Sequence, residues 1–320
     1  MDLYSVGEMV VDFIPGSENA SYIRNAGGAP ANVAIALARN GLDAGMCCKV
    51  GDDDFGYFLQ KTLQENRVRV LCPNPSLETT TTIVFVSLQQ NGERSFTFVR
   101  KPGADMLLCP EDIKENDIAS SKIVHAGSCS LSKEPAASAT VKALKLGAKL
   151  KKLVSFDVNY RNLMWGNDIK AATLAVFDIL QYVDLLKMSE EEAAMFGGEK
   201  SIFSLMRDYG ISVIVETLGK EGAKCFFGSE IITSPAEPGE AVDATGAGDA
   251  FWGAFLSQLV LCNVSSPELL TKSILEEALR FGNISGCLCV KKKGAISSLP
   301  TREEIEIYLK RRSQHETFRN

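Results

Sequence analysis

The sequence predicts an α/β fold, with a mostly parallel central sheet flanked by helices and a small inserted β-sheet. Short apolar runs rich in β-branched residues alternate with longer helical patterns, and no repeat or long linker divides the 320 residues. This alternation is typical of βαβ units, whose strands lie parallel. The predicted buried strands are 3–7, 44–50, 123–126, 153–157, 185–188 and 213–218. The predicted helices are 31–40, 55–66, 135–146 and 169–180.

Residues 10–25 and 79–101 break the alternation, because neither stretch has a helical pattern. The second stretch holds Asn91-Gly92 between two β-rich runs, which is a strong signal for a hairpin. We therefore predict that 10–25 and 79–101 form a separate small sheet, a lid over the ligand-binding edge of the main sheet. The predicted main domain comprises 1–9, 26–78 and 102–320.

The composition argues against several classes of protein. A net charge of −6 disfavours a nucleic-acid partner, which usually requires a basic face. No apolar run approaches the roughly 18 residues of a membrane span, and the start of the chain, Met1-Asp2-Leu3-Tyr4, lacks a signal-peptide pattern. We expect no nucleic-acid partner, no membrane, and localisation in the cytoplasm.

The nine cysteines predict free thiols in a reducing compartment, since their number is odd and no Cys-x-x-Cys occurs. The two histidines, His125 and His315, have no metal-ligand spacing around them. A zinc site and a histidine-based acid–base mechanism are therefore not expected.

The segment Asp243-Ala-Thr-Gly-Ala-Gly-Asp249 carries the first candidate chemistry, because it leads directly into a strong helical pattern. Unpaired N–H groups and the helix dipole at such a start form an anion site that suits a phosphate. Asp249 is open to two interpretations: an acid favoured by the dipole, or a base that accepts the proton of an attacking hydroxyl. The Walker pattern is absent, and the dinucleotide fingerprint lacks its third glycine.

A second glycine cluster, Gly27-Gly28-Ala-Pro-Ala-Asn32, also precedes a predicted helix. Taken alone, it is either a turn with a helix cap or a site where backbone and amide groups bind sugar hydroxyls. Asp12 is its natural partner, since a carboxylate can accept hydrogen bonds from two adjacent hydroxyls.

A third cluster, Asp157-Val-Asn159-Tyr-Arg161, follows a buried strand, at the edge where open α/β sheets bind ligands. Arg161 either neutralises a phosphoryl group or forms a structural ion pair. Thr217-Leu-Gly219-Lys-Glu-Gly222 ends another strand and is interpreted as a turn first and a nucleotide contact second.

Together these residues resemble the ribokinase-like, or pfkB, family of carbohydrate kinases over essentially the whole chain. The segments that carry the resemblance are Gly27-Gly28-Ala-Pro-Ala-Asn32 and Asp243-Ala-Thr-Gly-Ala-Gly-Asp249. The resemblance implies a ribokinase-like fold, with ATP and Mg²⁺ as cofactors. It also implies that Asp249 is the base and that the backbone amides of Gly246, Ala247 and Gly248 form an anion hole for the γ-phosphate.

The resemblance assigns roles to further matching positions. The residues expected to bind the sugar are Asp12, Gly27, Gly28, Asn32, Arg100, Asn159 and Arg161. The residues expected at the ATP site are Ser189, Glu192, Thr217, Gly219, Gly222 and Asn283, and Glu192 is expected to place Mg²⁺ indirectly. A monovalent-cation site for K⁺, formed mainly by backbone oxygens, is expected at Asp243, Thr245, Cys289, Lys292, Gly294 and Ser298.

Within the family, the chain is most similar to fructokinases, for example in Val50-Gly-Asp-Asp-Asp-Phe-Gly56 and Phe156-Asp-Val-Asn-Tyr-Arg161. Ala29-Pro30 stands where kinases of phosphosugars tend to carry lysine, which indicates an unphosphorylated sugar. We therefore expect ATP-dependent conversion of D-fructose to fructose 6-phosphate. The resemblance also implies a homodimer formed through the lid strands.

Several alternatives stay open at this point. A 2-keto-3-deoxygluconate kinase or a ribokinase would keep the chemistry and change the sugar. A non-catalytic sugar-binding regulatory protein would keep the fold without the reaction. A dinucleotide-dependent oxidoreductase is disfavoured because the third glycine of its fingerprint is missing.

Overall fold

The structure is a computed structural model that describes residues 1–16, 18, 21–88 and 94–317. In these residues the strands are β1 (Leu3–Val6), β2 (Val10–Pro15), β3 (Tyr22–Gly27), β4 (Ala44–Cys47), β5 (Val68–Val70), β6 (Ile83–Leu88), β7 (Arg94–Val99), β8 (Ile123–Gly127), β9 (Leu153–Asp157), β10 (Leu185–Ser189), β11 (Val213–Thr217), β12 (Ala223–Phe227) and β13 (Glu230–Ser234). The α-helices are α1 (Ala29–Arg39), α2 (Asp54–Glu65), α3 (Glu115–Ala119), α4 (Ala136–Lys149), α5 (Ile169–Leu180), α6 (Glu190–Ala193), α7 (Glu199–Tyr209), α8 (Ala247–Leu261), α9 (Lys272–Cys289) and α10 (Arg302–Thr317).

The main sheet has nine strands in the order β13-β12-β11-β10-β9-β8-β1-β4-β5. From β11 to β5, every pair of neighbours is parallel. The edge strands β12 and β13 are antiparallel. The predicted α/β fold with a mostly parallel sheet is therefore confirmed, and the six predicted strands correspond to β1, β4, β8, β9, β10 and β11.

Helices cover both faces of this sheet. Residues of α1, α8 and α9 form one hydrophobic cluster with the side chains of one face, which include Leu3 and Leu185. Residues of α4, α5 and α7 form a second cluster with the opposite face, which includes Tyr4 and Leu186. Because successive side chains of a strand point to opposite faces, both faces of the strands are apolar, as is usual for a buried parallel sheet.

Helix α8 lies in the centre of the first cluster, and its residues from Asp249 to Val260 are all buried. Gly253 on this helix faces α1: a Cβ at this position would lie 2.5 Å from Ala36 Cβ and 3.0 Å from Val33 O. The missing side chain therefore allows α1 and α8 to approach closely. Their close approach determines the distance between Asn32 on α1 and Asp249 on α8, which lie one turn before Ala36 and Gly253.

The second sheet has the order β3-β2-β6-β7. The strands pair antiparallel, parallel and antiparallel across this order. The Phe13 ring of β2 stacks on Phe85 of β6 at 5.2 Å and meets Phe55 of α2 edge-on at 5.7 Å, which ties the small sheet to the main domain. A small second sheet is confirmed. Its domain boundaries and lid role stay predictions, and Asn91-Gly92 lies outside the described residues.

Within the described residues, none of the helices is both long and apolar enough to cross a bilayer. The same residues contain no cluster of three or more His, Cys, Asp or Glu side chains that could hold a metal ion by themselves. All nine cysteines are free thiols.

Candidate active site

The candidate site is built around the first turn of α8. Gly246 precedes the helix with φ +80°, and a Cβ there would lie 3.0 Å from Ala295 Cα. Ala250 N makes the first intrahelical hydrogen bond, to Gly246 O at 2.8 Å. The amides of Gly248 and Asp249 precede this bond and therefore have no intrahelical acceptor. The Ala247 amide donates to the preceding turn at 3.2 Å.

Asp249 contacts Asn32 across the interface between α1 and α8. Asn32 Nδ2 donates to Asp249 Oδ2 at 2.7 Å, and the two residues are 4% and 6% exposed. Burial raises the pKa of Asp249 to about 6, whereas the Asn32 hydrogen bond lowers it. The carboxylate is thus a stronger base than an exposed Asp, yet it is still ionised at neutral pH.

A buried ion pair lies beside this turn. Lys187 Nζ is 2.8 Å from Asp157 Oδ2, and the two side chains are 6% and 1% exposed. Nζ would also lie 3.4 Å from a Cβ on Gly248. Parallel strands β9 and β10 hold the pair, with Asp157 opposite Lys187 in the register. The candidate anion site therefore has a cation next to it.

Asp12 lies against the glycine cluster before α1. Its Oδ2 would be 2.2 Å from a Cβ on Gly27, so any side chain at this position would displace the carboxylate. Burial raises the pKa of Asp12 to about 7. Gly28 has φ +118°, and a Cβ there would lie 2.5 Å from Glu8 O. Glycine is therefore required at Gly28, by its φ and by the nearby backbone, whereas a side chain at Gly27 would meet only the Asp12 carboxylate.

The other three predicted sugar-binding residues have different surroundings. Arg100 donates from Nε and Nη2 to Asp105 Oδ2, at 2.9 and 2.7 Å, within a buried ion pair. Asn159 is buried and has φ +36°. Arg161 is exposed and donates to Tyr160 O at 3.0 Å, and its charge lowers the pKa of Asp249. Arg161 thus acts electrostatically on Asp249, whereas Arg100 is held by Asp105.

Ser189 and Glu192 form a capping box at the start of α6. Glu192 Oε2 accepts from Ser189 N at 2.8 Å, and Ser189 Oγ accepts from Glu192 N at 3.1 Å. Glu192 Oε1 also accepts from Tyr160 N at 2.7 Å, which joins this turn to the segment after β9. Burial raises the pKa of Glu192.

The other predicted ATP-site residues lie around β11 and β13. Thr217 Oγ1 donates to Met188 O at 3.4 Å. Gly219 and Gly222 have φ of +57° and +103°, in a turn between β11 and β12 that glycine favours. Asn283 donates from Nδ2 to three oxygen atoms at the end of β13 and just after it, at 2.9 to 3.1 Å. Its side chain therefore anchors that segment to α9.

All six predicted monovalent-cation residues share one hydrogen-bond network: Asp243, Thr245, Cys289, Lys292, Gly294 and Ser298. Asp243 Oδ1 accepts from Thr245 N at 2.9 Å, and Oδ2 accepts from Gly294 N at 3.0 Å. Lys292 joins the network through its backbone alone, since Lys292 N donates to Cys289 O at 3.2 Å. Its side chain instead pairs with Glu304 at 2.8 Å.

The sequence profile of the pfkB family carbohydrate kinases matches residues 2–302. The chain belongs to this family. Probable fructokinase-3 of Arabidopsis thaliana is 37% identical, over 98% of this chain and 93% of its own length. The fructokinase of Vibrio cholerae, solved with fructose, ADP and calcium ion, is 31% identical with a TM-score of 0.86, covering 96% of this chain and 98% of that one. The fructokinase of Xylella fastidiosa, solved with ATP, is 26% identical with a TM-score of 0.90, covering 98% and 99%.

The predicted family and ribokinase-like fold are thereby confirmed, and the protein is a carbohydrate kinase. The roles of individual residues in this kinase stay predictions. The structure brings Asn32 and Asp249 into contact, and it places Asp12 against Gly27.

Two residues beside the kinase site were not singled out from the sequence. Lys187 is a lysine inside the apolar run Leu185-Leu-Lys-Met188, a signal that could have identified it. Glu8 is 4% exposed, and its Oε1 accepts from Ala29 N at 3.3 Å, at the start of α1. A glutamate directly after Gly7 gives no comparable signal, because its burial depends on tertiary packing.

Proposed function

We propose that the protein is an ATP-dependent fructokinase that converts D-fructose to fructose 6-phosphate with Asp249 as the base. One observation carries the proposal: the buried Asp249 carboxylate, held by Asn32 at 2.7 Å, lies in the same helix turn as the free amide of Gly248. A proton acceptor and an anion site are thus adjacent. The similarity to fructokinases at 37% and 31% identity supports fructose as the sugar.

The reaction transfers one phosphoryl group and one proton. The 6-hydroxyl oxygen of fructose forms a bond to the γ-phosphorus of ATP, and the bond from that phosphorus to the β–γ bridging oxygen breaks. ADP leaves with the electron pair of the broken bond, and Asp249 takes the hydroxyl proton. Since such transition states are loose, positioning and charge stabilisation matter more than a strong base. The Asn32 hydrogen bond orients Asp249 and keeps it ionised.

Sugar binding is assigned to Asp12, Gly27, Gly28 and Asn32, with Asn159, Arg161 and Arg100 at the edge of the site. The close packing of Asp12 Oδ2 over Gly27 supports this assignment, because it presents a carboxylate at the glycine cluster. Burial raises its pKa to about 7, which fits a carboxyl that, among the described residues, is not held by a cation and can accept from hydroxyls.

ATP binding is assigned to Ser189, Glu192, Thr217, Gly219, Gly222 and Asn283, and Mg²⁺ to the phosphates next to Glu192. The donor chemistry fits, since Mg²⁺ prefers oxygen ligands. Both Glu192 oxygens already accept a backbone amide, at 2.7 and 2.8 Å, so the carboxylate would hold the ion through its bound water. When bound, Mg²⁺ neutralises phosphate charge.

A K⁺ ion is assigned to the network around Asp243. The candidate ligand atoms there are oxygens, which suit a hard cation. They belong to the Asp243 carboxylate, the Thr245 and Gly294 carbonyls and the Ser298 hydroxyl. Lys292 contributes its backbone, because its side chain pairs with Glu304. Replacement of K⁺ by choline should lower activity, and an unchanged rate would argue against this site.

A homodimer through the small sheet and a cytoplasmic location complete the proposal. Tyr22, Ile23 and Val99 on the edge strands β3 and β7 are 45%, 58% and 49% exposed, and apolar edge strands often pair with a partner. The nine free thiols fit a reducing compartment. Light scattering should give the mass of a dimer for the wild type and of a monomer for Ile23→Lys. A monomeric wild type would contradict the assembly.

A panel of sugars tests the substrate. ADP release should be measured with fructose, ribose, 2-keto-3-deoxygluconate and glucose at matched concentrations, with the phosphorylated position identified by NMR. Fructose should give the highest kcat/KM and the 6-phosphate. A faster reaction with another sugar would replace fructose, and no turnover with any sugar would favour a non-catalytic regulatory protein.

A further inference from the structure

Lys187 is a buried cation that the mechanism above does not use. It lies inside β10, where Leu186 and Met188 are both fully buried, and it is itself 4% exposed. The ammonium pairs with Asp157 Oδ2 at 2.8 Å. A buried ion pair is weak evidence for a stabilising role, because desolvation of both charges offsets most of their attraction. A different reason for a lysine at this position is therefore required.

The pair has unused hydrogen-bonding capacity. A lysine ammonium has three N–H donors, and among the described residues Nζ of Lys187 makes one hydrogen bond, to Asp157. Asp157 Oδ1 is buried and accepts no hydrogen bond from any of the residues that the structure describes. Buried polar groups are normally satisfied. Two donors on Lys187 are thus free for a ligand that carries acceptor oxygens.

The free donors lie next to the candidate anion site. Nζ and Cε of Lys187 would lie 3.4 and 3.8 Å from a Cβ on Gly248. The Gly248 amide is in the first turn of α8 and has no intrahelical acceptor. A phosphoryl oxygen that accepts from this amide would therefore lie within reach of the ammonium.

We propose that Lys187 is a catalytic residue that binds the transferring phosphoryl group together with the Gly248 amide. The inference rests on the proposed kinase reaction and adds a residue to it. The ammonium donates hydrogen bonds to non-bridging oxygens of the γ-phosphoryl group, where negative charge is spread in the transition state. It forms no covalent bond, and Asp157 keeps it charged and pointed at the turn.

Binding of two nucleotides separates this role from a structural one. The dissociation constants of AMP-PNP and ADP should be measured with Mg²⁺ by calorimetry for the wild type, Lys187→Met and Lys187→Arg. Because ADP lacks the γ-phosphoryl group, Lys187→Met should weaken AMP-PNP about tenfold or more and leave ADP unchanged. It should also lower kcat by a factor on the order of 100 to 1000, the typical loss of one such donor. Lys187→Arg should recover part of both.

A matched control and a fallback keep the test decisive. Lys224→Met removes another strand lysine, paired with Glu199 at 2.6 Å. It should change neither the affinity for AMP-PNP relative to ADP nor kcat. If Lys187→Met does not fold, Asp157→Asn with Lys187→Met removes both buried charges and is measured instead. Equal losses for AMP-PNP and ADP, or kcat within threefold of wild type, would overturn the role of Lys187. The comparison of AMP-PNP and ADP binding does not depend on the sugar. A wild type that does not phosphorylate fructose would therefore contradict the fructokinase assignment alone.

Discussion

Asn32 Nδ2 lies 2.7 Å from Asp249 Oδ2, and this hydrogen bond joins two helices whose polar residues are 217 positions apart. The contact has two consequences. It fixes the orientation of the carboxylate. It also stabilises the ionised form of Asp249 and so opposes burial, which raises the pKa of this carboxyl. Asn32 is thus both a candidate sugar ligand and the partner that prepares the base.

Replacement of Asn32 by Ala should move the acid limb of the pH–rate profile to higher pH. Burial already raises the pKa of Asp249 to about 6, and loss of the hydrogen bond removes a stabilising contact of the ionised form. The base is active when deprotonated, so kcat/KM should fall more at pH 6 than at pH 8. The measurement is the pH dependence of kcat/KM for both proteins. Asn40→Ala, at the other end of α1, is the control, and equal losses at all pH values would contradict the prediction.

Gly253→Ala should separate α1 from α8. The new Cβ would lie 2.5 Å from Ala36 Cβ and 3.0 Å from Val33 O, inside contact distance. Overpacking of this kind costs about 1–3 kcal/mol, which is partly offset by the gain of about 1 kcal/mol for alanine over glycine in a helix. The shift would lengthen the Asn32 to Asp249 contact. Urea unfolding should show the loss of stability, and kcat should fall with it.

Gly286→Ala is the matched control for that change, because it places a methyl group on the neighbouring helix α9. Its Cβ would meet Ala247 O at 3.5 Å, an ordinary contact. Alanine favours helix over glycine by about 1 kcal/mol, so the variant should be as stable as the wild type or more so. Equal behaviour of the two variants would show that Gly253 does not determine the spacing of α1 and α8.

Glu8 should make the folded protein less stable as the pH rises towards neutrality. Burial raises its pKa from 4.5 to about 7, so between these values the folded protein holds a proton that the unfolded chain releases. Stability therefore falls through this window, by up to about 3 kcal/mol. Glu8→Gln keeps the acceptor for Ala29 N and should remove this part of the pH dependence. Urea unfolding at pH 5 and pH 8 measures it. Glu65→Gln, at an exposed position of α2, should leave the slope unchanged, and a wild-type slope in Glu8→Gln would contradict the prediction.

The fold was predictable because its parallel strands are apolar on both faces and are separated by long helices. β12 and β13 escaped prediction because a short connection with a single 3-10 turn, and no α-helix, links β11 to β12. In addition, Glu230 and Ile231 on β13 are exposed. A strand that is only half buried at a sheet edge gives a weaker apolar signal.

The site was predictable where glycines adjoin a helix start, as at Gly28 and Gly246. It was not predictable where a charge is buried by tertiary contacts. Lys187 is defined as a site residue by Asp157 on the next strand and by Gly248 on α8, and neither is close to it in sequence. Arg100 was predicted to bind the sugar, but in the structure its side chain is paired with Asp105. This pairing depends on side-chain geometry that the sequence does not specify.

The most direct test of Asp249 as the base is the turnover of Asp249→Asn with fructose and ATP. The variant keeps the shape of the side chain and the buried position beside Asn32, but it cannot accept the hydroxyl proton as a carboxylate does. Its kcat should fall by about 10²- to 10⁴-fold, while the dissociation constants of fructose and AMP-PNP stay within a fewfold of wild type. A kcat near that of the wild type, in a variant that unfolds at the same urea concentration, would contradict the assignment of Asp249.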